Sequence, residues 1–148
     1  MNGDKVWEIR TFIYQHFAET TCPPHVDEVA SRFSLSHDEA VSAYRELHQH
    51  HALYLKPNTH EILMANPFSG VPTPFQVHAN DRTYFANCAW DALGIPAALH
   101  TDAEIEAACA QNGELIRLRV SNRKVQGSEV LVHFLVPFRD WYNDLTYT

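Results

Sequence analysis

The chain contains 148 residues, of which 45% are hydrophobic and 20% are charged. This composition is typical of a globular protein with one domain or two small ones, and it excludes a largely disordered chain. The formal net charge is −7 with neutral histidines, and an acidic surface repels phosphate groups. We therefore expect neither general nucleic-acid binding nor adsorption to an anionic membrane.

The cysteine pattern and the hydropathy pattern predict a cytoplasmic protein. No apolar run reaches the roughly 18 residues of a membrane span, and residues 1–10 lack the pattern of a signal peptide. The three cysteines, Cys22, Cys88 and Cys109, are odd in number and widely spaced. This spacing argues against a disulfide framework and against a CxxC zinc site.

The first half of the chain reads as three helices. Apolar residues at helical spacing predict an amphipathic helix over residues 4–19 and a shorter one over residues 26–33. Ser36 and Glu39 then form a capping-box pattern, which predicts the start of a third helix.

A hairpin is predicted over residues 52–64, because two short apolar runs flank a Pro-Asn turn. Three helices followed by a two-stranded ribbon are the order of a winged helix-turn-helix. Residues 1–66 carry nine Asp and Glu against five Lys and Arg, a net charge of −4. Because DNA binding needs several cations on the reading helix, we expect a scaffold here rather than a DNA-binding regulator.

A break between two domains is predicted at residues 66–74, where three prolines and a glycine interrupt any regular element. We therefore divide the chain into a winged-helix-like domain, 1–66, and a second domain, 67–148. The second domain opens with a predicted hairpin over residues 75–86, whose strands flank an Asn-Asp turn.

The rest of the second domain reads as α+β. Its predicted elements are a helix over 87–93 that ends near Gly94–Pro96, a strand near 115–120, a strand over 129–136 and a helix that begins at Pro137. The run 129–136 is nearly all apolar, which predicts a central strand covered on both faces. Residues 101–112 fit either a helix with a capping box or a strand.

Cys88 and Asp91 are the candidate catalytic pair. Residues three apart on a helix face the same side, so a sulfur and a carboxyl can share one site. The first turn of a helix favours a thiolate, so we expect a lowered pKa for Cys88. A thiolate beside a carboxyl suits the capture of a soft metal with proton delivery. A single cysteine in an apolar stretch is also a common core residue.

Three histidines, His48, His50 and His51, cluster at the predicted end of the third helix. They raise the possibility of a metal site, but no third ligand is evident on one helix face. Histidines at a helix C-terminus also complement the helix dipole, which explains them without a metal.

The motif around Cys88 and Asp91, in the second domain, resembles the pattern around the first catalytic cysteine of the alkylmercury (organomercurial) lyase family. The resemblance covers most of residues 5–145 and is most specific over residues 71–136. It rests on the following matches: Cys88, Ala89, Asp91, Leu93 and Pro96 around the first catalytic cysteine, Cys109 through Gly113, and Val132-His133-Phe134. The resemblance implies a winged-helix scaffold at the N-terminus and a strand over residues 101–109. The expected fold class is α+β, with that scaffold packed on a mixed or antiparallel sheet with short helices.

The resemblance also implies a mechanism. Thiolates bind mercury and weaken the carbon–mercury bond, an aspartate passes a proton to the leaving carbon, and Hg(II) then moves to a thiol carrier. In this chain Cys88 would be the nucleophile and Asp91 the proton donor, and the two would also be the metal ligands. No cofactor is required, although an external thiol is expected.

The sequence departs from the family pattern at two positions. Glu129 aligns where the family has its second catalytic cysteine, and Asn87 stands where the family has a tryptophan. Glu129 would then be a second acid/base group or a hard ligand, which shifts the preference away from mercury. We expect protonolytic cleavage of a carbon–mercury or similar polarised bond in a small molecule, with altered or weak activity. The alternatives are a non-enzymatic protein that binds soft metals or thiol-reactive compounds and, less favoured, a DNA-binding regulator.

Overall fold

The computed structural model describes residues 3–127 and 129–144. Within these residues, four α-helices, eight β-strands and one 3₁₀ helix follow one another along the chain. The bounds are α1 Gly3–Thr20, α2 Val26–Phe33, α3 His37–Gln49, β1 Tyr54–Leu55, β2 Ile62–Ala65, β3 Phe68–Ser69, β4 Phe75–Ala79, β5 Arg82–Phe85, α4 Ala89–Leu99, β6 Ala103–Ala108, β7 Leu115–Ser121, β8 Lys124–Gly127 and the 3₁₀ helix Phe138–Asn143. The α+β fold class is confirmed.

The three predicted N-terminal helices are present with nearly the predicted bounds. Ser36 caps α3 as its pattern indicates, because its hydroxyl accepts from the Glu39 N–H and the Glu39 carboxylate accepts from the Ser36 N–H. The apolar faces of α1 and α3 are buried in the main core. The winged-helix topology itself stays a prediction. Of the helices in the described part of the chain, none is both long and apolar enough to cross a membrane.

The small sheet follows α3 and has the strand order β1-β2-β3, with antiparallel neighbours. The predicted hairpin of β1 and β2 is confirmed. The sequence pattern missed β3, which lies within the proline-rich break and pairs with β2. The division into domains 1–66 and 67–148 stays a prediction, and β3 joins the sheet of the first segment although it follows residue 66.

The large sheet has the order β5-β4-β6-β7-β8, and every neighbouring pair is antiparallel. The turn between β4 and β5 consists of Asn80 and Asp81, both with positive φ, as a tight hairpin requires. The strand expected over residues 101–109 is confirmed as β6, which pairs with β4 and β7. The capping-box alternative for this region was wrong.

Helix α4 is longer than the sequence indicates. The predicted end near Gly94–Pro96 was wrong, because α4 continues through Pro96 to Leu99. A proline inside a helix removes one N–H donor. Ile95 and Pro96 are both buried, however, and α4 packs against β4 and β6. The burial of this face outweighs the local preference to stop.

The predicted central strand over residues 129–136 was also wrong. The segment forms neither helix nor strand, and Leu131 is 98% exposed. The edge of β7 is instead occupied by β8, which the sequence pattern did not indicate. An apolar run forms a strand only when its backbone pairs with a neighbouring strand. Residues 129–136 have no such pairing and run over the surface as irregular chain. The helix expected from Pro137 is present as the short 3₁₀ helix.

Phe68 of β3 joins the two parts of the molecule. Its ring is 3% exposed and stacks on Phe17 of α1, with 5.3 Å between the ring centroids and 9° between the planes. It also contacts Tyr84 of β5, whose hydroxyl donates to the Ala18 carbonyl at 2.6 Å. Phe68 further bridges to Ala86, directly after β5. The helices, the small sheet and the large sheet therefore meet at one side chain.

We expect Phe68→Ala to lower the free energy of unfolding by about 3–5 kcal/mol, because it empties a buried aromatic site between three elements. Phe138→Ala is the matched control, since Phe138 is 65% exposed. Its effect should stay within about 0.5 kcal/mol. Urea unfolding of both variants measures the difference, and an equal effect at the two positions would contradict the central position of Phe68.

Candidate active site

A cavity of about 260 Å³ opens beside the start of α4. Its walls come from three places: the end of the small sheet with the segment that follows it, the start of α4, and the C-terminal segment. The lining residues are Leu63, Met64, Asn66, Ser69, Val71, Thr73, Asn87, Cys88, Trp90, Asp91, Phe134 and Trp141. Most of this lining is apolar or aromatic, and the ionisable groups among it are Cys88 and Asp91.

Cys88 is the N-cap of α4 rather than a residue of its first turn. Its backbone is extended, and its sulfur accepts a hydrogen bond from the Asp91 N–H at 3.4 Å. This N–H has no partner within the helix, so the sulfur replaces the oxygen of a usual capping residue. The Asp91 carboxylate is close enough to the thiol to raise its pKa. The predicted convergence of Cys88 and Asp91 is present in the structure.

Burial is the largest influence on the pKa of both groups. It raises the pKa of the Cys88 thiol, although hydrogen bonds from the backbone N–H groups of Asp91 and Trp90 lower it and the nearby Asp91 carboxylate raises it further. The expectation that the helix start lowers the pKa of Cys88 was therefore wrong, because desolvation exceeds the effect of the helix N–H groups. Burial likewise raises the pKa of Asp91, against hydrogen bonds from Asn87 and Cys88 that lower it.

Asn87 ties the pair to the opposite wall of the cavity. Its side-chain Nδ2 donates to Asp91 Oδ2 and to Asn66 Oδ1, both at 3.0 Å. The same nitrogen lies 3.2 Å from the Phe68 carbonyl and 3.4 Å from the Pro67 carbonyl. Its Oδ1 is buried and has no hydrogen-bond partner in the described part of the chain. The sequence analysis identified Asn87 only as a departure from the family tryptophan.

The outer wall of the cavity is aromatic. Trp90 of α4 is 62% exposed, and Phe134 and Trp141 approach from the C-terminal segment with 5.0 Å between their ring centroids. No local pattern indicated the two C-terminal rings as cavity walls, because the segment was interpreted as a strand and a helix. Their place depends on the path of the chain over the surface.

Glu129 does not join the site. It is exposed in the C-terminal segment and lies outside the set of residues that line the cavity. The expected convergence of Glu129 with Cys88 and Asp91 is therefore absent. The structure places an apolar and aromatic stretch of the same segment at the cavity instead.

The other two thiols also lie elsewhere. Cys22 is exposed in the loop between α1 and α2, and Cys109 stands in the turn between β6 and β7, where its carbonyl accepts from the Gly113 N–H. Within the described residues, no cluster of three or more His, Cys, Asp or Glu side chains is placed to hold a metal ion. The cavity thus offers one thiol and one carboxylate to a soft metal.

We expect iodoacetamide to label Cys22 before Cys88, because Cys22 is exposed whereas burial raises the pKa of Cys88. Asp91→Asn should speed the labelling of Cys88, since the carboxylate contributes to that raised pKa. Peptide mapping by mass spectrometry over time measures both rates. Faster labelling of Cys88 than of Cys22 in the unsubstituted chain would contradict this.

Asp91→Asn should also raise the free energy of unfolding at neutral pH. The pKa of Asp91 is higher in the folded state, so the ionised carboxylate destabilises the fold above that pKa. The gain should shrink as the pH falls through the folded pKa towards the unfolded value of about 4. Urea unfolding at several pH values tests this against Asp81→Asn, a change in an exposed turn. A gain that does not vary with pH would refute the desolvation argument.

Two comparisons with known proteins, with protein families and with solved structures, gave matches. A family model described as alkylmercury lyase (MerB) matches residues 68–148, which is more than half of the chain. The chain is also similar to the solved structure of the mercury-bound form of MerB2, with 25% identity and a TM-score of 0.65 over 85% of this chain and 60% of that one. This chain thus spans less than two thirds of that protein's length, and comparison with curated proteins gives no match. The chain belongs to the alkylmercury lyase family.

Proposed function

We propose that the protein cleaves the carbon–mercury bond of a small organomercurial by protonolysis, with Cys88 as the mercury ligand and Asp91 as the proton carrier. The observation that carries the proposal is the hydrogen-bonded Cys88–Asp91 pair inside an aromatic cavity. Mercury prefers sulfur over oxygen and nitrogen donors, and Cys88 supplies the one thiol of this cavity.

The first step binds the substrate. An organomercury thiolate, R–Hg–SR′, enters the cavity and the Cys88 sulfur bonds to mercury. The thiol proton moves to the Asp91 carboxylate, which lies beside the thiol in the same cavity. The raised pKa of Asp91 suits this step, because a buried carboxylate accepts and holds a proton more readily than an exposed one.

The second step breaks the bond. Asp91 returns the proton to the carbon, the carbon–mercury electron pair forms the new C–H bond, and R–H leaves. Mercury remains as Hg(II) between Cys88 and the external thiolate R′S⁻, and Asp91 is again ionised. A second external thiol then removes Hg(II) and restores the Cys88 thiol with its proton. The net reaction converts R–Hg–SR′ and R′SH into R–H and Hg(SR′)₂.

The cavity walls support this assignment. Leu63, Val71, Phe134 and Trp141 present apolar surface to the organic group R, and such surface excludes water from the proton. Asn87 holds Asp91 Oδ2 at 3.0 Å, so the carboxyl group is oriented before substrate arrives.

The second candidate is a non-enzymatic protein that captures soft metals or thiol-reactive compounds. The observation that favours it is the single thiol of the cavity, with Cys22 and Cys109 both outside it. One fixed thiolate activates the carbon–mercury bond less than two, because a free thiol lacks the advantage of a fixed ligand. Binding without turnover would follow.

Phenylmercury with excess external thiol decides between the two candidates. We expect benzene release to continue beyond one equivalent and to depend on the concentration of external thiol. Cys88→Ser should abolish release and Asp91→Asn should slow it by about 10²–10⁴, the usual range for a lost general acid. Cys22→Ser is the matched control and should leave the rate unchanged. Stoichiometric mercury binding with no benzene would refute the lyase and support capture.

A further inference from the structure

The histidines at the end of α3 have no part in the catalytic pair, and the structure gives them another set of contacts. His48 and His51 both contact Tyr54, and His50 lies 6.4 Å from Trp7 between ring centroids. None of the three belongs to a metal-binding cluster among the described residues. Each of the three rings contacts an aromatic side chain, and His48 Nδ1 also accepts from the Leu55 N–H at 3.4 Å.

His51 has a fixed position at the end of its helix. The His51 N–H donates to the His48 carbonyl and the Ala52 N–H to the Leu47 carbonyl, both characteristic of a Schellman helix end. His51 has a φ of 56°, the left-handed conformation that this position requires. From there its ring stacks on Tyr142, with 4.2 Å between the centroids and 12° between the planes, and on Tyr54 at 6.0 Å.

Tyr142 belongs to the 3₁₀ helix that also carries a wall of the cavity. Its neighbour in sequence, Trp141, lines the cavity beside Phe134. The Trp141 ring packs on Phe134 and Phe138, each at 5.0 Å between centroids, and its indole N–H donates to the Val136 carbonyl at 3.0 Å. Among the described residues, the aromatic rings of this segment pack on one another, and the ring of Tyr142 reaches His51 and, at 6.4 Å between centroids, Tyr54.

We propose that His51 is a positioning residue that, by stacking on Tyr142, holds Trp141 as a wall of the cavity and so controls access to Cys88. The role of the wall in turnover rests on the proposed function, whereas the position of the wall does not. The 3₁₀ helix has an exposed outer face, with Phe138 at 65% and Tyr142 at 50% exposure, and the ring of Tyr142 lies nearer to His51, at 4.2 Å between centroids, than to Tyr54, at 6.4 Å. Loss of the stack frees this wall and opens the cavity to larger molecules.

The test compares the labelling rates of Cys88 and Cys22 by a bulky maleimide, with both peptides mapped by mass spectrometry. Cys22 is exposed and serves as the internal reference. His51→Asn removes the ring but keeps a residue that tolerates positive φ, and Tyr142→Ala removes the other ring. Each should raise the Cys88 to Cys22 ratio by about two- to tenfold, the range that one aromatic pair provides. The double variant should add little to either single one.

Two matched controls separate stacking from general loosening. Tyr142→Phe keeps the ring and should label like the unsubstituted chain, and His50→Ala removes a neighbouring histidine whose ring faces Trp7 instead. An unchanged ratio in both His51→Asn and Tyr142→Ala would overturn the proposal. An equal rise in Tyr142→Phe or His50→Ala would overturn it as well. Tyr142→Ala lies outside the core, so it keeps the test valid where His51→Asn lowers stability.

The kinetic arm uses phenylmercury with external thiol. His51→Asn should raise KM by about two- to tenfold with a smaller effect on kcat, because Trp141 contacts the organic group rather than the reacting bond. Tyr142→Phe should leave the KM of the unsubstituted chain unchanged. An effect on kcat alone would overturn the assignment of His51 to substrate positioning. Absence of turnover in the unsubstituted chain would refute the proposed lyase function. The labelling ratio would still show whether His51 holds Trp141 in place at the cavity.

Discussion

The burial of Phe68 is the constraint on which the rest of the structure depends. Its ring stacks on Phe17 of α1 and contacts Tyr84 of the large sheet, while its backbone pairs with β2 and bridges to Ala86. This one residue fixes the short segment around it against the start of α4. Because Asn87 donates to Asn66 and lies against the Phe68 carbonyl, the same contact sets the opening between the two walls of the cavity.

The chemistry of the cavity follows from desolvation. Burial raises the pKa of both Cys88 and Asp91, so the pair keeps a proton that exposed groups would lose more readily. A nucleophile with a raised pKa is slow towards ordinary electrophiles, whereas a soft metal displaces the proton directly when a base stands beside the sulfur. Under the proposed function, this arrangement would favour a soft-metal substrate over general thiol reagents, and the buried carboxylate lowers the free energy of unfolding.

The C-terminal segment gives the cavity its outer wall without joining either sheet. Many of its apolar side chains are exposed, and its aromatic rings pack on one another and on His51. Within the described residues this wall is therefore placed by contacts between side-chain rings, whereas a strand in the middle of a sheet is placed by backbone hydrogen bonds on both sides.

The sequence by itself determined the elements whose signals are local. The apolar spacing of α1, the capping box at Ser36 and the Asn-Asp turn between β4 and β5 each depend on residues close together in the chain, and each is present in the structure. The pairing of Cys88 with Asp91 is equally local, since the two stand three positions apart, at the N-cap and in the first turn of α4. The family pattern added β6, where local signals were ambiguous.

Only the tertiary structure decided the features that depend on partners distant in sequence. Helix α4 continues through Pro96 because β4 and β6 bury its inner face, while residues 129–136 join neither sheet and β8 pairs with β7. The pKa of Cys88 rises because burial, which no residue spacing reveals, exceeds the effect of the helix N–H groups. Glu129 is exposed and Trp141 lines the cavity because of the path that the C-terminal segment takes over the surface. Sequence propensity reflects only contacts between residues near in the chain, whereas this path depends on packing between residues distant in sequence.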